Sequence, residues 1–143
     1  MAGAPEVDYA KLLSFRVALR RFERWSQQEA RAVDLTPAQH QLLLCVRGHP
    51  DPAGPTISDA ADYLLLRHHS TVELVDRASK AGLVERQVDA DDARVARVCL
   101  TSRGEEILAA LTEAHLEELQ QLGQFLQSVV AEAGLTQFAA LRR

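Results

Sequence analysis

At Gly82 the apolar pattern of this chain changes period, and that change limits the folds open to it. From about His68 to Ala81 the apolar residues recur at helical spacings, and Gly82 supplies a natural helix stop. Beyond it, Leu83 to Val88 and Val95 to Leu100 are rich in β-branched and apolar residues, and the six residues Asp89 to Arg94 between them are polar or small. Two strands joined by a charged loop make a β-hairpin. A short helix precedes His68: Thr56 and Asp59 have capping-box spacing, and Ala60, Ala61 and Leu64 form its packing face. Two short helices, a glycine stop and a hairpin predict a helix-turn-helix followed by a wing.

The flanking segments are helical. Leu12, Phe15, Leu19, Phe22 and Trp25 step by threes and fours along a stretch from about Asp8 to Val33. Thr36-Pro37-Ala38-Gln39 opens the next helix with a cap, a first-turn proline and a capping-box glutamine. Gly48 to Pro55 closes it with a Pro/Gly-rich loop. After the hairpin, Ser102 and Glu105 again have capping-box spacing. Leu108, Leu111, His115, Leu119, Leu122, Leu126 and Val129 then line one side of a long helix, with a break expected at Gly134 and a short helix near Thr136 to Leu141. Such a stripe exceeds what a small domain can cover, and a second copy of the chain is the simplest cover. His115, on that stripe, is expected at the dimer interface.

Composition narrows the function. Apolar residues make up 47% of the 143 residues but aromatics only 5%, which suits a core of Leu, Val and Ala on packed helices. No run approaches the roughly 18 apolar residues of a membrane span, and Met1 to Val7 has no basic, secretory-type start. Cys45 and Cys99 lack CxxC spacing and sit in apolar runs, as reduced structural thiols of a cytoplasmic protein do. The net charge of −4 is unevenly spread. Arg67 to Arg103 holds seven Arg/Lys against six Asp/Glu, whereas Glu105 to Glu132 holds six Glu and no Arg or Lys. DNA binding by the middle of the chain alone is compatible with that division. No catalytic motif is present, no cofactor is called for, and His69 with Glu73 is the only i,i+4 pair at His68-His69 that could take a metal. An enzyme and a metal site are not expected.

Four short motifs occur in order. Leu35-Thr36-Pro37-Ala38-Gln39 is similar to a Leu-Thr-x-x-Gln helix start. Leu74 to Arg86 (LVDRASKAGLVER) resembles a recognition-helix-to-wing junction. Asp92-Ala93-Arg94 matches an Asp-x-Arg wing signature, and Leu100-Thr101-Ser102-Arg103-Gly104 a Leu-Thr-x-x-Gly entry to a long helix. Together they resemble the MarR family of transcriptional regulators over roughly residues 8 to 141. The resemblance implies a mainly α fold with a small β-hairpin wing, a winged helix-turn-helix dimerised through its N- and C-terminal helices. It assigns about 8–33 and 102–143 to dimerisation and about 35–101 to the DNA-binding lobe of a single domain. It also implies repression at a pseudo-palindromic double-stranded operator, relieved by a small-molecule effector or an oxidant.

For the lobe's contacts, Thr71, Leu74, Val75 and Ala78 are expected to pack inward, leaving His68, His69, Ser70, Glu73 and Arg77 for DNA. Glu73 can accept from a cytosine amino group or repel phosphate, and His68-His69 can equally be a solvated helix start. Arg94 is the candidate for the minor groove, braced by Asp92, although three aspartates make the loop unusually acidic. Arg86 and Arg97 either touch phosphates or pair with Glu85 or Asp89. Trp25, His40 and His115 are candidates for an effector pocket between the dimer helices and the lobe, each also a plausible core residue. Tyr9-Ala10-Lys11-Leu12-Leu13 is similar to a run in peroxide-sensing relatives, but the first helix has no cysteine. The competing reading is a winged-helix protein-interaction module without specific DNA binding.

Overall fold

A computed structural model describes residues 8–132. Its elements run α1 (Tyr9–Ala32), α2 (Pro37–Gly48), α3 (Ile57–Leu64), α4 (His68–Lys80), β1 (Val84–Val88), β2 (Ala96–Leu100) and α5 (Ser102–Glu132). The expected break at Gly134 and the helix near Thr136 to Leu141 lie outside the described residues. The chain forms two compact units. One combines the segments to Ser26 and from Glu113, and the other is 27–112.

Local chemistry sets the boundaries inside 27–112. After α1, Asp34 adopts φ +61°, which its short polar side chain tolerates, and the Leu35 amide returns to the Ala30 carbonyl. Thr36 and Gln39 form the reciprocal capping box: the Gln39 amide donates to Thr36 Oγ1 at 3.1 Å and the Thr36 amide to Gln39 Oε1 at 3.0 Å. Thr56 and Asp59 repeat that arrangement at the start of α3. Gly82 ends α4 at φ +73°, so that Gly82 donates to the Ser79 carbonyl and Leu83 to that of Ala78.

The cap of α5 differs from expectation. Thr101, not Ser102, receives the Gly104 amide on its Oγ1 at 3.0 Å, and the same hydroxyl donates to the Gly82 carbonyl at 2.6 Å. Both residues are hydroxylated, but only Thr101 also faces the turn that ends α4. A β-carbon on Gly104 would lie 2.1 Å from the Leu83 carbonyl oxygen. The Leu-Thr-x-x-Gly run is therefore a joint. Threonine caps one helix while tying it to the end of another, and glycine lets the two backbones meet.

The core of this unit draws on every element. Leu42 and Leu43 of α2, Ala60 of α3, Val75 and Ala78 of α4, Leu83, Val84, Val98, Leu108 and Leu111 are all buried. Burial of that kind contributes about 1.5–3 kcal/mol for each large aliphatic side chain. The two strands pair antiparallel, Val84 opposite Leu100 and Val88 opposite Ala96. Val84 and Val98 anchor the hairpin's base in the core while Val88 is exposed near its far end.

The other unit is built on aromatic and histidine packing. Ser26 Oγ and His115 Nε2 are hydrogen-bonded at 2.7 Å, both residues buried. The His115 ring lies 4.7 Å from that of Trp25 and edge-on to Phe22. His115 is thus covered by its own chain. This corrects the expectation that a partner copy would bury it. Tyr9, Leu12, Leu13, Leu116, Leu119 and Phe125 of the same unit are exposed.

Candidate nucleic-acid interface

Helix α4 divides as its sequence pattern predicts. Thr71, Val75 and Ala78 are buried and Leu74 is partly buried, while His68, His69, Glu73 and Arg77 are exposed and Ser70 is half-buried. The helix starts at Arg67, an N-cap without a side-chain capping bond. The Thr71 hydroxyl instead donates backwards to the Arg67 carbonyl at 3.0 Å. Backbone amides at the α4 start are thus left to an external acceptor, in a setting of exposed Arg67, His68 and His69.

The wing is held by a chain of carboxylate bonds. Asp89 Oδ2 accepts the amides of Asp91 and Asp92 at 3.1 and 3.0 Å, folding the loop back on itself. Asp92 accepts from Arg94 three times, from its amide, Nε and Nη2, at 3.0–3.1 Å. The guanidinium is clamped on one edge yet its side chain is 91% exposed, so its direction is fixed while its other donors face solvent. Both carboxyls are held below the usual aspartate range. Hydrogen bonding from Arg97 is the main cause at Asp89, and from Arg94 at Asp92. Two of the loop's three aspartates, Asp89 and Asp92, thus brace it from within.

Arg97 lies elsewhere than a phosphate contact would. Its Nε donates to Asp89 Oδ1 at 2.5 Å and its Nη1 to the Gly54 carbonyl at 2.8 Å, with Asp51 at 3.5 Å. The side chain is only 20% exposed. Of the two expectations for Arg97, pairing with Asp89 is present, and its Nη1 is directed to the α2–α3 loop. That loop is itself pressed onto β2. Gly54, at φ +89°, has the Val98 carbonyl where a β-carbon would stand, and Val98 donates to the Pro55 carbonyl at 2.9 Å. Arg86 also departs from expectation, pairing across to Asp76 of α4 at 2.6 Å rather than with Glu85 or Asp89. It ties α4 to β1, and 38% of its side chain is still exposed. Sequence reasoning missed Asp51, Gly54 and Asp76 as partners. The signal available for Gly54 was its place in the Pro/Gly-rich loop; the two aspartates carried none.

The three effector-pocket candidates fall in both units. Trp25 and His115 pack together in one unit, and His40 is buried in the other. A recess of about 420 Å³ is lined by Phe22, Trp25, Glu118, Leu122 and Phe125 among others, without His115. Burial pushes the Cys45 thiol up to about 11, as its apolar surroundings imply. Cys99 donates to the Ala53 carbonyl at 3.3 Å. Among the described residues no group of three or more His, Cys, Asp or Glu could hold a metal ion, and no helix is long and apolar enough to cross a membrane.

Residues 33–95 match the model of the MarR family. No curated protein matches the sequence. Among solved structures, the Staphylococcus aureus MepR–DNA complex is similar at 25% identity and a TM-score of 0.70, covering 94% of this chain and 98% of that one. A structure of MepR described as a transcription regulator of the S. aureus multidrug efflux pump MepA has 23% identity and a TM-score of 0.73, covering 95% and 99%. A mutant of Escherichia coli MarR complexed with operator DNA has 22% identity and a TM-score of 0.67, covering 89% and 87%. The mainly α architecture with an antiparallel hairpin wing is the fold of these structures.

Proposed function

We propose that this chain, a MarR-family winged-helix protein, is a sequence-specific DNA-binding transcription regulator acting as a homodimer on a pseudo-palindromic operator. The observation that carries this reading is the pairing of an exposed polar face on α4 with a wing-tip arginine aimed outward by its own aspartate. The face of α4 enters the major groove, where His69, Ser70 and Glu73 meet base edges and the amides of the first turn, with Arg77, hold phosphates. Arg94 enters the minor groove, where negative potential is concentrated. The solved complexes of MepR and MarR with DNA support the same docking of a like fold.

Dimerisation is supported by the apolar side chains of α1 and α5 that one chain leaves in solvent, Leu13 and Leu116 among them. Repression released by a small-molecule effector completes the reading, with the recess beside Phe22 and Trp25 as the place for an apolar ligand. Bonds within the loop that occupy Asp89 and Asp92 favour this reading over a protein-interaction module.

The test is a fluorescence-anisotropy titration with DNA flanking the protein's own gene against scrambled DNA, at low and physiological salt. Preference for the native sequence that survives the higher salt is expected. Binding that is sequence-blind at both salts, for this DNA and for duplexes drawn from a random-sequence selection, overturns the reading.

A further inference from the structure

The turn between α3 and α4 contains a residue that neither the backbone nor the core accounts for. Leu65 closes α3 at φ +54°, ψ +41°, in the left-handed region. Its amide points back to the carbonyls of Ala61 and Asp62, and Leu66 donates to Ala61 at 3.0 Å, so the turn's hydrogen bonds demand this conformation. Glycine enters that region freely and asparagine tolerates it, whereas a branched apolar side chain is strained there. Packing within the chain offers no compensation. Leu64 is turned to the core, but Leu65 is 91% exposed, the most exposed large apolar residue among those described.

The surroundings indicate what would cover it. Leu65 stands three residues before the first residue of α4. Between it and the helix face lie exposed Arg67, His68 and His69, and the first turn of α4 lacks a side-chain cap. An apolar tip beside an exposed arginine, two imidazoles and an uncapped helix start suits a duplex groove, where phosphates meet the polar groups and the thymine 5-methyl group is the apolar feature of the major-groove edge. We propose that Leu65 is a specificity-determining residue that docks on a thymine 5-methyl group beside the N-terminus of α4. This rests on the reading of the chain as a DNA-binding regulator. The strain in the turn is then retained for recognition, as strained backbone often is at binding sites.

The experiment compares the full-length protein with Leu65→Asn and Leu65→Gly on the duplex best bound by the unaltered protein in a random-sequence selection. Each thymine of that duplex is replaced in turn by deoxyuridine, which lacks only the methyl group. Leu65→Asn should hold or raise the thermal midpoint, since it relieves the turn and loses no packing. It should weaken binding about fivefold, or about 1 kcal/mol. The dependence of affinity on salt should stay unchanged, because an apolar contact releases no counterions. One deoxyuridine position per half-site should weaken the unaltered protein and leave Leu65→Asn unaffected. Variants that fold and bind as tightly as the unaltered protein overturn the proposal, and so does a scan in which no thymine position depends on Leu65. If the selection enriches no duplex, the regulator reading itself fails and this inference with it.

Discussion

A methyl group added to Gly104 would meet the Leu83 carbonyl oxygen at 2.1 Å, and backbone on both sides leaves nothing flexible to yield. Gly104→Ala is therefore expected to lower stability by about 2–3 kcal/mol in denaturant unfolding. An unchanged midpoint would show that α5 can slide off the end of α4 without cost. The two wing arginines separate by a different measurement. Arg94→Ala should weaken DNA binding at least about tenfold while the dimer persists in sedimentation. Arg97→Lys keeps the charge but loses the fork that reaches Asp89 and Gly54 together. It should lower the thermal midpoint and weaken binding without altering its salt dependence, whereas a direct phosphate contact would tolerate lysine. Equal affinity and stability in Arg97→Lys would return that residue to the DNA surface.

At the scale of elements, the wing loop depends on carboxylates being ionised. Asp89 and Asp92 have pKa values below the ordinary 3.8, because Arg97 and Arg94 respectively, with backbone amides, bond the charged forms. A depressed folded-state pKa gives order that is fully present above the unfolded value and is lost as pH falls through the folded one. The protection of the Asp91 and Asp92 amides, relative to free amides at the same pH, should thus be held at neutral pH and fall only in acid below about 3.8. Protection that fades already between pH 7 and 5 would assign it to another group. The helices and hairpin were legible in the sequence because their signals are local: two capping boxes, the glycine after α4, the period change. The site was legible only in part. Exposure of His68, His69, Glu73 and Arg77 follows from helical spacing, and the Asp92–Arg94 clamp spans two residues. Arg97 was legible only in its pairing with Asp89, since its other partner, Gly54, is distant in sequence and no periodicity links them. Thr101 and Ser102 are chemically alike, and only the fold distinguishes the one that reaches Gly82.

At the scale of the whole molecule, the exposed apolar side chains of α1 and α5 are the basis of the proposed association. Leu116 and Leu119 are exposed on α5. Leu116→Glu combined with Leu119→Glu should give a monomer in sedimentation while far-ultraviolet circular dichroism stays helical, because neither side chain fills the core of 27–112. Operator affinity should fall at least about tenfold with the loss of the second lobe. A dimer that survives both substitutions would move the interface elsewhere. Shortening the chain after Gly104 is a harsher cut, since it removes Leu108 and Leu111 from that core.

Arg97 has one further consequence. Through it the hairpin is joined to Asp51 and Gly54, so that the α2–α3 loop and the wing are linked as one piece. A reading head of that kind cannot be retuned by bending one of its parts. In the proposed dimer, the gap between two such heads decides whether both meet successive turns of the same duplex.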